Sequence, residues 1–286
     1  MENDLVTVGI PMYNAEKFIG QAIKSILNQS FQNFEIIITD DGSTDKSIEI
    51  ASSFLDPRIK LFADGNNKGI SYRLNQQVEL AKGKYFARMD ADDIMFPDRL
   101  EKQIHFLNNN ENIDVVGSSV VVLDDDNQII VFRPAKLLTE YEKLFNNILF
   151  NHPTVTGKLE FFKQYPYSED LIGVEDSDVW IRSFNKSKFF VMDEPVLFYR
   201  DPLVFKLKTY KFRLNQKNKL LNKIPYLKNH PFLKYKLIME NNIKKWAATI
   251  LNFIKKDDIL ISKRNNANIP IKEEWEVILN NITNGK

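Results

Sequence analysis

Over the first hundred residues, short runs of β-branched and aromatic side chains alternate with amphipathic segments, and few architectures accommodate that order. Residues 5–10 read as a strand and 16–30 as a helix. Residues 34–40 form an unbroken apolar run ending in acid, and 44–54 a helix with Ser43 as its cap. Residues 58–63, 70–81 and 85–90 repeat the pattern, and Pro97 opens a helix to about Asn109, as proline does at a first helical turn. Buried strands alternating with helices imply an α/β fold, with a mainly parallel sheet covered on both faces. Ligands of such sheets sit at the carboxyl ends of the strands. The acids of this chain collect there.

After Asp114 the pattern changes. Residues 115–123 and 129–132 flank Asp124-Asp125-Asp126-Asn127 and read as an antiparallel hairpin, which makes the sheet mixed. A helix at 138–149, a strand region at 153–159, a short helix at 174–185 and strands at 189–192 and 196–199 follow. Beyond Asp201 only helical periodicity remains. Charge divides the chain at the same place. Residues 1–200 hold 21 Lys/Arg against 31 Asp/Glu, whereas residues 201–256 hold 14 against 2, although the whole chain is only +1. We therefore expect a domain over 1–200 and a basic amphipathic helical tail over 201–286. The absence of cysteine excludes disulfides, thiolate metal sites and thiol catalysis. No signal peptide and no run of roughly eighteen apolar residues is visible, so a cytoplasmic location is expected.

Three acidic clusters carry the chemistry. Asp40-Asp41-Gly42-Ser43-Thr44-Asp45 follows a strand; a carboxylate there can accept the imide N–H of a pyrimidine, or it can be a solvated helix cap. Asp90-Ala91-Asp92-Asp93 also follows a strand, and its oxygens suit a hard cation such as Mg²⁺ or Mn²⁺ bound with substrate phosphates. Asp124–Asp126 has a similar composition but lies in a turn, so it reads as solvated. The third cluster is Glu175-Asp176-Ser177-Asp178, with Trp180 one turn from Asp176. An aromatic beside a carboxylate can stack on a sugar and raise basicity; the plainer alternative is a helix start favoured by the dipole, with Asp178–Arg182 as a surface pair.

The ordered set is more specific than any member. Val6-Thr-Val-Gly-Ile-Pro-Met-Tyr-Asn14 is followed by residues 23–30 and by the Asp40–Asp45 loop. Asn67-Lys68-Gly69 with Arg73 and Asn75 comes next, then residues 81–85, Asp90-Ala91-Asp92, residues 97–100 and Glu175-Asp176 with Trp180. In this order the chain resembles glycosyltransferase family 2, inverting enzymes of the GT-A fold, over roughly residues 4–200. The resemblance implies a nucleotide loop with Pro11, Tyr13 and Asn14, Tyr13 lying against the base, and a uracil contact at Asp41 and Asp40. It implies Asp90 at the ribose, with Ala91 in the same motif, Asp92 as the ligand of Mn²⁺ or Mg²⁺, and Asp176 as the catalytic base. Lys68 and Arg73 would approach the nucleotide or its phosphates, and Glu175 and Trp180 would lie on the acceptor side. His152 falls where the family carries a His-Pro segment, but Val155-Thr-Gly-Lys158 lacks the arginine pair that follows it there.

The implied activity is metal-dependent hexosyl or N-acetylhexosaminyl transfer. It would run from a nucleotide-sugar, expected to be a UDP-sugar, to a glycan or lipid-linked acceptor in bacterial envelope polysaccharide or lipopolysaccharide synthesis. A nucleotidyltransferase or a non-catalytic nucleotide-sugar-binding scaffold is the alternative. The acidic first segment argues against nucleic acid as a partner. In the tail, Leu203, Leu207, Tyr210, Leu214 and Leu221 form one helical stripe. Phe232, Tyr235, Met239, Ile243, Trp246, Ile250 and Phe253 form a second. Two outcomes are open and compatible: the stripes pack on protein, or residues 201–256 dock peripherally on the anionic inner face of the cytoplasmic membrane.

Overall fold

The computed structural model describes residues 4–201, 204–264 and 270–284. Leu203, the first residue of the first tail stripe, lies outside them. The chain begins β1 (Val6–Met12), α1 (Ile19–Leu27), β2 (Phe34–Asp40), α2 (Ser47–Ser52), β3 (Ile59–Ala63), α3 (Ile70–Leu80), β4 (Tyr85–Arg88), β5 (Ile94–Met95) and α4 (Arg99–Asn109). Then come β6 (Val115–Leu123), β7 (Ile129–Arg133), two 3₁₀ turns (Tyr141–Phe145 and His152–Thr154), β8 (Thr156–Lys158), α5 (Leu159–Gln164), α6 (Glu175–Ser183) and β9 (Phe189–Arg200). The helices α7 (Leu207–Lys223), α8 (Pro225–Lys228), α9 (Pro231–Phe253), α10 (Asp258–Arg264) and α11 (Glu273–Asn284) complete it.

Nine strands form one mixed sheet in the order β3-β2-β1-β4-β8-β6-β9-β5, with β7 also paired to β6. The first four are parallel, as the alternation of elements requires, and β8 is antiparallel to both β4 and β6. Met12 pairs with Asp40 and Gly9 with Arg88, so β1, β2 and β4 deliver their carboxyl ends to one edge. That edge carries the site.

The core has three apolar clusters. The first lies under α1 and α4, with Val8, Ile10, Ile23, Leu100 and Ile104. The second is aromatic, built on Phe86, Phe150, Phe162, Trp180 and Phe189, and it takes Leu220, Leu221, Leu227 and Leu237 from α7, α8 and α9. The third joins Ile94, Phe96, Phe132 and Phe198 to Trp275, Leu279 and Ile282 of α11. Each such side chain withdrawn from water contributes about 1.5–3 kcal/mol, so the tail helices are held on the sheet at two separate places.

Local differences from the sequence reading have physical causes. The helix expected at 138–149 is only a 3₁₀ turn. Asn146 and Asn147 turn the backbone there, Asn147 donating to the Lys143 carbonyl and Asn146 to Glu240 of α9 at 2.9 Å. The two strands expected at 189–199 are one, β9, whose pairing with β6 shifts register between Met192 and Pro195, as proline cannot complete a ladder. Of the strand region expected at 153–159, only Thr156–Lys158 is strand, and Leu159 begins α5. Helix α2 starts at Ser47, because Ser43 does not cap it and instead accepts the backbone N–H of Asn14 at 2.9 Å.

Candidate active site

Two strand-end loops are stapled together before any ligand is considered. Asn14, held at φ +48°, donates its backbone N–H to Ser43 and accepts that of Thr44 on its side-chain oxygen at 2.9 Å. Ala15 N–H donates to Ser47 Oγ at 2.7 Å, Glu16 N–H to the Asp45 carboxylate at 3.0 Å, and Lys46 N–H to the Glu16 carboxylate at 3.0 Å. Pro11 is half-buried within β1. Tyr13, at the mouth of the loops, is 53% exposed. Asp40 is fully buried: Oδ2 accepts the N–H groups of Gly42 and Ser43, and Oδ1 has no partner among the described residues.

Asp41 is the hub of a second staple. Its carboxylate accepts Lys68 N–H at 2.7 Å, Gly69 N–H at 3.1 Å and Arg73 Nε at 3.0 Å. Gly69 sits at φ +88°, a left-handed conformation that costs glycine little and aims its N–H at the acid. Arg73 also reaches Asp64 at 2.6 Å and the Asn66 carbonyl, and its side chain has no exposed surface. Arg73 is thus walled in, and its guanidinium fixes Asp41. The Lys68 ammonium lies at the surface, paired with Asp64 at 2.8 Å and over the Tyr72 ring at 4.5 Å.

Asp90, Ala91, Asp92 and Asp93 follow β4 in a tight turn. Asp90, Asp92 and Asp93 each offer one carboxylate oxygen within 4.8 Å of the others. Asp93, which the sequence places in this cluster without a role of its own, is the most buried of the three; its Oδ1 accepts the Arg200 N–H at 2.8 Å and its Oδ2 has no partner among the described residues. Burial, then the charge of Asp90, pushes Asp92 up to about 6; Asp93 rises for the same reasons, with Asp92 adding to the repulsion. Arg200 holds the turn through the Asp92 carbonyl and the Asn127 side chain. The Asp124–Asn127 turn is thereby fastened to the site but contributes no carboxylate to the cluster.

The buried Arg88, two residues before Asp90, forms a two-pronged ion pair with it. Its charge also lowers the pKa values of Glu175 and Asp176 and of buried His152. Sequence reasoning passed over Arg88. An arginine inside the apolar run of β4 is the signal that marks it.

Helix α6 opens with Glu175 buried and Asp176 half-buried, Asp176 accepting the Ser177 N–H at 2.6 Å. Burial raises Asp176, while burial and the charge of Asp176 raise Glu175 to about 7. Trp180 is only 1% exposed and is enclosed by Phe150, Phe161, Phe189 and His152 at centroid distances of 5.0–6.1 Å. Trp180 therefore packs as a core side chain on α6, the helix that opens with Glu175 and Asp176. His152 is buried and bonded to Tyr167 at 2.9 Å, with burial driving it well below its usual range. Asp178 and Arg182 do pair, at 2.8 Å, but Asp178 is buried and also holds Ser168.

Comparison with known proteins bears directly on this arrangement. The Glycosyl transferase family 2 pattern matches residues 7–171. An uncharacterized glycosyltransferase of Methanocaldococcus jannaschii is 38% identical over 210 residues, 71% of this chain and 72% of its own. The Escherichia coli enzyme WfgD, a UDP-Glc:α-D-GlcNAc-diphosphoundecaprenol β-1,3-glucosyltransferase, is 31% identical over 181 residues, 63% of this chain and 70% of its own. In fold, S. aureus TarS 1–349, also solved with UDP-GlcNAc, superimposes with a TM-score of 0.60 at 16–19% identity. It covers 97% of this chain, which covers 78–79% of it. The mannosyltransferase PcManGT of Pyrobaculum calidifontis, solved with GDP-Man and Mn²⁺, gives 0.59 at 16% identity, covering 97% of this chain and 84% of its own. The strand-end acids, the mixed sheet and these matches together establish that the chain belongs to glycosyltransferase family 2.

Proposed function

We propose that this glycosyltransferase moves a sugar from a UDP-sugar to a hydroxyl of a glycan or lipid-linked acceptor, inverting the anomeric centre. The observation that carries the reading is the cluster of Asp90, Asp92 and Asp93 carboxylates at the carboxyl end of β4, anchored to the buried Arg88, whose charge also acts on Glu175 and Asp176. Tyr13, with Pro11, Asn14, Asp40 and Asp41, forms the nucleoside end in this reading, and Asp90 faces the ribose. Asp176, at the helix start with a raised pKa, accepts the proton of the acceptor hydroxyl. The acceptor oxygen bonds C1 as the bond from C1 to the diphosphate breaks, and UDP leaves with the electron pair. Nothing in that displacement requires a protein nucleophile.

The donor set fits a divalent cation, Mn²⁺ or Mg²⁺, held by Asp92 with Asp90 and Asp93. All are hard oxygens, they repel one another without a cation, and one Asp93 oxygen has no partner among the described residues. Bound there, the ion would neutralise charge on the leaving diphosphate. The donor and acceptor named for WfgD support a UDP-sugar and a lipid-linked acceptor, and with them a role in envelope polysaccharide or lipopolysaccharide synthesis at the cytoplasmic side of a membrane.

The test is product analysis with a panel of nucleotide-sugars. Transfer should release the free nucleoside diphosphate and give an inverted linkage by NMR. Asp176→Asn should lower turnover by roughly 10²–10⁴-fold with donor binding nearly intact. Release of pyrophosphate would point to nucleotidyl transfer, and binding without turnover of any donor to a scaffold. A retained anomeric centre would reject the single displacement.

A further inference from the structure

Helix α9 has two apolar faces, and the fold uses one. Leu233, Leu237, Ile238 and Ala248 turn inward, Leu237 joining the aromatic cluster. The opposite line of Phe232, Tyr235, Met239, Ile243, Trp246 and Phe253, with Ile250 among them, is open, from 42% exposed at Ile250 to 85% at Phe232 and Phe253. Spacings of three and four residues keep these side chains on one stripe, roughly 32 Å long at the helical rise. Single exposed apolar side chains are ordinary, but a continuous stripe of this size marks a contact surface.

Charge selects the partner. Residues 201–256 carry 14 Lys/Arg against 2 Asp/Glu. Lys236 borders the stripe, Lys228 precedes it and Lys255 and Lys256 follow it; all four are exposed. The one acid of α9, Glu240, is turned toward the body of the protein, where it holds Asn146. Two copies meeting on this face would bring like charges together, and of the seven stripe residues only Ile243 and Ile250 are the branched aliphatics that helix pairing favours. Tyr and Trp instead suit the boundary between acyl chains and headgroups. No described helix is long and apolar enough to cross a membrane.

We propose that the outer stripe of α9 docks on an anionic lipid bilayer, lying in the plane of the interface with its apolar side chains among the acyl chains and the lysines at the phosphates. The buried inner face fixes the helix to the catalytic sheet, so docking sets the height and tilt of the active site above the lipid. The proposal rests on α9 and is independent of the donor assignment.

Trp246 is 74% exposed, whereas Trp180 and Trp275 are buried, so intrinsic fluorescence reports chiefly on the stripe. The full chain is titrated with vesicles of equal parts phosphatidylcholine and phosphatidylglycerol, and with phosphatidylcholine alone. The anionic vesicles should shift Trp246 emission to the blue, brominated acyl chains should quench it, and salt should weaken the binding. Sedimentation of the double variant Met239→Glu, Ile243→Glu should show a partition coefficient about tenfold lower or less, with donor turnover toward water in solution unchanged. Equal binding to neutral vesicles, parent-like binding by the variant, or no spectral shift would overturn the proposal. So would a lipid-free dimer that already buries Trp246.

Discussion

Arg88 acts on both acidic groups of the site, and its charge should be visible in the pH dependence of transfer. It lowers the pKa values of both Glu175 and Asp176, against burial that raises them. Removing the cation lifts both groups, so a base at Asp176 becomes available only at higher pH. Arg88→Met should therefore move the acid limb of the pH–rate profile upward, while Arg88→Lys keeps it close to the parent; coincident limbs for all three proteins would refute the electrostatic role. Arg73 makes a different prediction. Its buried guanidinium pairs with the nearly buried Asp41, and deleting one partner of such a pair costs on the order of 3 kcal/mol. Arg73→Met should lower the melting temperature and weaken UDP binding through a displaced 64–69 loop, as calorimetry and thermal melts would show. These two arginines mark the limit of what local pattern reveals. Asp41, Asp90, Asp92 and Asp176 stand out because each sits at a strand or helix end. The partner of Arg73 is 32 positions away, and Trp180 reads as a core residue only when Phe150, Phe161 and Phe189 close around it.

At the scale of elements, hydrophobic period was informative where an element packs a single face. Strand β2 occupies the stretch expected of it because Ile36–Ile38 anchor a run that is buried throughout, and α3 differs from expectation by one residue at its end. Period misled at 138–149, where Leu144, Phe145, Leu149 and Phe150 enter the core from an irregular chain and only imitate a helix. It includes α11 in the helical tail without naming a packing face, whereas Trp275 of α11 stacks on Phe132 at 5.2 Å and joins the third core cluster. Loss of a buried Trp side chain costs about 3–5 kcal/mol. Trp275→Ala should accordingly lower the melting temperature of the whole chain in a single transition with the catalytic sheet. A separate early transition that left donor turnover untouched would instead show α11 to be an independent appendage.

The molecule as a whole is electrically divided, and its two ends should respond to salt with opposite signs. Residues 1–200 carry an excess of ten acids, yet they are proposed to bind a diphosphate, which is itself anionic. The nearest acids, Asp90, Asp92 and Asp93, lie close enough together to oppose that ligand directly. Lys68 is tied to Asp64, and the charges of Arg73 and Arg88 are engaged by Asp41, Asp64 and Asp90. A divalent ion held by Asp90, Asp92 and Asp93 would offset that repulsion. Calorimetric titration of UDP should show affinity at least about tenfold weaker in EDTA than with Mn²⁺, since removing one such counter-ion removes several favourable charge contacts. Asp92→Asn should reproduce the loss with Mn²⁺ present, whereas Asp176→Asn should bind UDP as the parent does. Salt adds an internal check. In EDTA, added salt screens the repulsion between UDP and the acidic edge and should strengthen the residual binding, while the same salt weakens lipid docking by α9. UDP affinity that is equal with Mn²⁺ and with EDTA would remove the cation from the mechanism and leave the Asp90–Asp93 turn with a structural role alone.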